Sequence, residues 1–158
     1  MKKYIYTTFI TILGTITISA QQFDINADLR AKFENRNGYG TLKPDTLKAA
    51  SFITQRTRLI LEYSFKNVML RVSPQNVKTC GDVATTSKTD ANNAFHEAYG
   101  EIKVDDKFSF KLGRQEINYD DARIFGNVDW TMQARSHDAF LLKFNPNSKN
   151  QIHFGINQ

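Results

Sequence analysis

From Phe23 to Phe33 the chain alternates without a break. Phe23, Ile25, Ala27, Leu29, Ala31 and Phe33 fall on one side, and Asp24, Asn26, Asp28, Arg30, Lys32 and Glu34 on the other. Successive side chains of an extended strand point to opposite faces, whereas the apolar stripe of a helix returns every three to four residues. A period of two held over this length therefore demands a strand with one apolar and one charged face.

The same period recurs down the chain. In Ser51–Phe65, Leu59, Leu61, Tyr63 and Phe65 oppose Arg56, Arg58, Glu62 and Ser64, with Ile60 intruding on the polar side. Val68, Leu70 and Val72 alternate with Met69, Arg71 and Ser73 until Pro74, which cannot donate to a ladder and predicts a bulge or the end of regular pairing. Further strands are expected over Ala94–Val104, Phe108–Gln115 and His137–Asn145, and around Ile152, Phe154 and Ile156. The connections alternate in length. Asn35–Ala50, Thr79–Asn92 and Glu116–Ser136 are long, while Lys66-Asn67, Asp105–Lys107 and Asn145–Asn150 are short. Outer-membrane barrels sort their connections in this way, with short periplasmic turns and long extracellular loops, and a tilted span needs roughly ten residues. The expected fold is all-β: an antiparallel transmembrane β-barrel wall of about seven strands, incomplete as a barrel.

The N-terminus supports export. Met1-Lys2-Lys3 is basic, Tyr4–Ile18 is mostly apolar, and Ser19-Ala20 supplies small residues for cleavage after Ala20. Residues 1–20 thus read as a secretory signal peptide, and 21–158 as the barrel segment of a Gram-negative outer-membrane protein. Removing Lys2 and Lys3 lowers the formal net charge from +5 to +3. A mildly basic, exported chain without a basic cluster gives no support to nucleic-acid binding. The single Cys80 cannot form an internal disulfide, and twelve Phe with six Tyr favour strands over disorder. The histidines at 96, 137 and 153 have no metal-ligand spacing, so neither metal nor cofactor is expected.

If the apolar faces meet lipid, the opposite faces bring Arg30, Lys32, Arg56, Arg58, Arg71, Lys103, Lys111 and Lys143 inward, interleaved with Asp28, Glu34, Glu62, Glu97 and Glu101. Such cations either favour anions in a pore or pair with the carboxylates to satisfy a wet interior. Leu112–Trp130 is the segment that departs furthest from strand periodicity. The stretch Glu116–Ser136 carries Asp120, Asp121, Arg123, Asp129 and Arg135, and could fold into the pore as a constriction. Adjacent Asp120 and Asp121 fix no separation and make a poor acid–base pair. Arg114 falls in phase with Phe110 and Leu112, which aims it at lipid unless Gly113 marks a bulge that turns it inward or it stands above the membrane.

The pieces Gln55-Arg56-Thr57-Arg58-Leu59, Glu97-Ala98-Tyr99, Leu112-Gly113-Arg114-Gln115, Tyr119-Asp120-Asp121, Arg123, Gly126, Trp130 and Arg135 through Phe140 resemble the alginate export family of outer-membrane β-barrels. The resemblance covers nearly all of the chain after the signal. It implies a monomeric barrel, when complete, that passes anionic polysaccharide or small anionic solutes and is not an enzyme. Its partners would be outer-membrane lipid and the barrel-assembly machinery. The resemblance also implies that Arg56, Arg58, Arg114, Arg123 and Arg135 line the pore, with Asp129 as counter-charge. The chain departs from the family at Asn76, Lys78 and Cys80, in length, and in lacking a terminal aromatic assembly signal. Family barrels are much longer, so a truncated fragment is expected.

Two other classes compete: a secreted soluble β-sandwich that binds acidic polysaccharide, stacking it on Tyr99, Tyr119 and Trp130, and one that cleaves it. Gln151-Ile152-His153 resembles a short motif of alginate-lyase jelly rolls. For the fragment reading, two open strand edges in lipid leave backbone groups unpaired. The isolated chain is then expected not to form a stable pore; a monodisperse, heat-resistant single-chain species with channel conductance would contradict this.

Overall fold

A computed structural model describes residues 21–38, 40–87 and 92–157; the expected signal segment lies outside them. The chain forms one seven-stranded antiparallel sheet in strict sequence order. Its strands are β1 (Gln21–Arg36), β2 (Ala50–Phe65), β3 (Val68–Thr79), β4 (Asn93–Lys103), β5 (Phe108–Gln115), β6 (His137–Asn147) and β7 (Asn150–Asn157). Residues 66–67, 104–107 and 148–149 make the short connections, and 37–49, 80–92 and 116–136 the long ones. The last short turn is tighter than the sequence suggests, because β6 carries on past Pro146 through a register shift between Phe144 and Asn147. β1 and β2 have 16 residues each, β3 12, and β4 and β6 11, whereas β5 and β7 have 8. Five strands thus reach the roughly ten residues of a tilted span. Among the described residues no helix is long and apolar enough to cross a membrane, which says nothing about strands.

The burial of the two faces is inverted relative to a water-soluble domain. Leu29, Leu112 and Ile156 are 71%, 64% and 78% exposed, while Arg56 and Arg58 are 2% and 7% exposed. On the apolar side, Phe108 stacks on its direct cross-strand partner Phe144 at 4.5 Å, and Phe110 stacks on its diagonal neighbour Phe140 at 6.0 Å. On the polar side, Arg71 bridges Glu62 at 3.1 Å and Glu97 at 2.7 Å, and Lys143 holds Glu101 at 2.9 Å. The Lys111 ammonium stands 3.7 Å from the centre of the Tyr99 ring. The charges predicted to face inward share this face, and most of them are paired with one another: Asp28 with Arg56, Lys32 with Glu34, Arg71 with Glu62 and Glu97, and Lys143 with Glu101.

Pro74 does what its missing N–H requires. The β3–β4 register runs Ser73↔Glu97 and then Pro74↔Phe95, leaving His96 as the extra residue on β4. The bulge lets two consecutive residues, His96 and Glu97, both be buried, at 2% and 6% exposure. Gly113 is not a bulge. The ladders run through it unbroken, with Tyr99 on one side and Ala139 on the other. Its φ is +122°, and a Cβ there would lie 2.3 Å from the Ala98 carbonyl oxygen and 2.8 Å from the Tyr99 Cα. Both neighbours are backbone and cannot swing aside. Gly113→Ala should therefore lower the unfolding free energy by about 2 kcal/mol or more, measured by urea denaturation in detergent.

Candidate functional site

The 116–136 connection folds back across the polar face and touches strands from β7 to β1. Its first leg is held by the bulge: Glu116 accepts from His96 at 2.6 Å, and the Glu116 N–H donates to Glu97 at 3.3 Å. Asn127 donates to the other Glu116 oxygen at 3.0 Å, and its carbonyl accepts from the Arg135 N–H at 2.6 Å, so the two legs are tied together. Burial pushes the Glu116 carboxyl up, but the hydrogen bonds from His96 and Asn127 and the charge of Arg58 outweigh it and hold the group below its ordinary value. Ile117 packs beside Ala139 and Leu141 of β6, the three buried apolar residues of the described chain. The Tyr119 hydroxyl is 2.7 Å from the His153 ring nitrogen on β7.

The loop tip docks on the far strands. Asp129 places one oxygen 2.7 Å from Arg30 and the other 2.7 Å from Arg56. Arg30 and Arg56 are direct cross-strand partners, and like charges set opposite one another repel. Asp129 relieves that repulsion, and Asp28 completes the cluster by accepting from the Arg56 Nε at 3.0 Å. Arg58 donates to Gln75 at 2.8 and 3.1 Å and reaches the Gln133 carbonyl at 3.5 Å, while Gln75 donates to the same carbonyl at 3.2 Å. The backbone of the segment is strained. Asp120, Asp121, Ala122, Val128 and Ala134 all have positive φ, and Val128, which is β-branched, sits at +50° immediately before Asp129. Such conformations persist where surrounding contacts over-determine them.

Arg56, Arg58 and Asp129 are thus brought together at one place. Arg114 lies on the opposite face with Phe110 and Leu112, its guanidinium bidentate to Asp138 at 2.9 and 2.6 Å. Arg123 and Arg135 are exposed on the loop, away from the cluster's ion pairs. Sequence reasoning named neither Arg30 nor His96 nor Glu116 as site residues. Arg30 had a signal, since it is in phase with Asp28 and Lys32; His96 had one only through Pro74.

A model of the alginate export family matches residues 20–154. The chain belongs to the alginate export family. No curated protein and no solved structure matches it. The family is one of outer-membrane polysaccharide export, a transport family. Within this alginate export chain, the Arg-lined polar face and the loop docked on it form the candidate site.

Burial works against the Asp129 charge, but hydrogen bonds from Arg30 and Arg56 outweigh it and keep the carboxyl below its ordinary value. A depressed folded-state pKa means that the tether is complete above the unfolded value of about 4 and is lost as pH falls through the lower folded value. Trp130 is the sole tryptophan, so its emission reports on the docked tip. The emission of the wild type should hold steady from neutral pH down to about 4 and change only below. Asp129→Asn should show the undocked emission at neutral pH, with the docked tip weakened by about 1–3 kcal/mol.

Proposed function

We propose that this chain forms part of the wall of an outer-membrane β-barrel channel for acidic polysaccharide or small anionic solutes, with residues 116–136 as its constriction. The inverted sheet carries the reading. An apolar face of Phe, Leu and Ile that nothing else in the described chain covers is suited to lipid, and a face of buried, paired Arg and Glu is suited to a water-filled lumen. A soluble sandwich would require a second sheet against the apolar face, and among the described residues there is one sheet.

The loop's contacts across the polar face support the constriction reading, and its tip sits on the densest group of guanidiniums, Arg30, Arg56 and Arg58. Guanidinium groups stay charged at any working pH and offer forked donors matched to carboxylates, as on a uronate chain. Low-dielectric walls strengthen the field of such a ring, so a narrow passage prefers anions. In lipid every strand edge must be paired, so the open edges of β1 and β7 call for further strands to complete the wall.

In planar bilayers containing a closed channel built with this wall, replacing Arg56, Arg58 and Arg123 together with Ala should move the reversal potential in a salt gradient toward cation preference. Asp129 and Asp28 would then lose a cation that now neutralises them. A parent channel that is already cation-selective, or a triple variant with an unmoved potential, would overturn the anion pathway.

A further inference from the structure

Trp130 is 83% exposed, yet the residues around it are fixed. Asp129 is tied to two arginines, the Thr131 N–H and hydroxyl both donate to the Val128 carbonyl at 3.0 Å, and the Met132 and Gln133 carbonyls accept from Arg56 and Arg58. A large aromatic held out in water on an immobilised backbone has no packing role in the described chain. It borders a cleft of about 500 Å³, a volume typical of small-molecule sites. The opposite wall comes from the ends of the long strands: Lys32, Glu34 and Arg36 of β1, Thr54 of β2 and Thr79 of β3.

The cleft differs in kind from the arginine cluster below it. Glu34 lies 2.7 Å from Lys32 and 2.5 Å from Arg36, so its carboxylate already neutralises much of the local positive charge. What remains is a mixed set of donors and acceptors beside an indole face. Sugar hydroxyls both donate and accept, which suits hydroxyl, carboxylate and ammonium groups set side by side. The C–H face of a pyranose ring is apolar and flat enough to lie on an indole, whose amphipathic ring favours contacts that are dry on one side and wet on the other.

We propose that Trp130 and the cleft facing β1–β3 form a saccharide-binding station, taking pyranose rings of a chain at the loop end of the barrel wall. The station rests on the channel reading only for its position at a pore mouth. It selects by ring stacking and hydroxyl pairing, whereas the arginine cluster acts on charge, so binding here depends only weakly on salt.

The test uses the full chain in detergent, titrated with a uronate hexasaccharide and with a neutral hexasaccharide of glucose, following Trp130 emission and, independently, heat of binding. The neutral sugar should produce a saturable change whose midpoint is similar at low and high salt, and the uronate should produce the same change beside any salt-sensitive binding at the arginine cluster. Trp130→Ala should weaken binding about fivefold by calorimetry, and Trp130→Phe, which keeps an aromatic face, should stay within about twofold of wild type. Absence of a saturable change, neutral-sugar binding that salt abolishes, or equal neutral-sugar affinity in the Ala variant and wild type would overturn the station. An acidic peptide that gives the same change would also overturn it. Failure of the channel reading shows elsewhere, as an unmoved reversal potential, and leaves these binding results as they stand.

Discussion

The arrangement depends on Arg56. Its guanidinium is almost wholly removed from solvent and lies directly across the ladder from a second arginine, Arg30. A buried cation is tolerated only where carboxylates and hydrogen bonds replace its water. Asp28 from β1 meets part of that need, and Asp129, 73 residues beyond Arg56 in the chain, meets the rest. The long connection is therefore drawn across the sheet by the charge demand of the first two strands. Its resting place is set by the β1–β2 register.

The other end of the same loop is set by a proline. Pro74 removes one ladder donor, the register slips by a residue, and His96 and Glu97 are both buried as a result. Together they fix Glu116, the first residue after β5. A local backbone irregularity on β3 and an ion cluster on β1–β2 thus act at a distance on one segment, and between them they hold its positive-φ residues in place. The apolar face takes no part in this. Its residues stay largely exposed, while the polar face buries its charges.

Much of this was legible from the residues. A period of two fixed the strands and which side chains share a face, because register in a sheet admits no intermediate orientation. It also read Arg114 as in phase with Leu112, where its pairing with Asp138 places it, although family resemblance pointed it toward the pore. The bulge at Pro74 followed from chemistry. What did not follow was the partner of each charge on the loop. Asp129 lies 99 residues from Arg30, and no spacing rule links residues brought together by a fold across four intervening strands. The sequence places a carboxylate in the loop and arginines on the strands, and the lowest-energy match among them is decided by three-dimensional reach.

The strict up-and-down order of the strands has an arithmetic consequence. With seven strands, β1 and β7 run in the same direction. Bent round to meet, they would pair in parallel, with slanted hydrogen bonds, and two copies related by a twofold axis along the barrel would bring β7 of one against β1 of the other with the same mismatch. A ring that is antiparallel at every seam and contains this sheet must therefore contain an odd number of other strands. The parity of the meander, more than its size, decides what can close it.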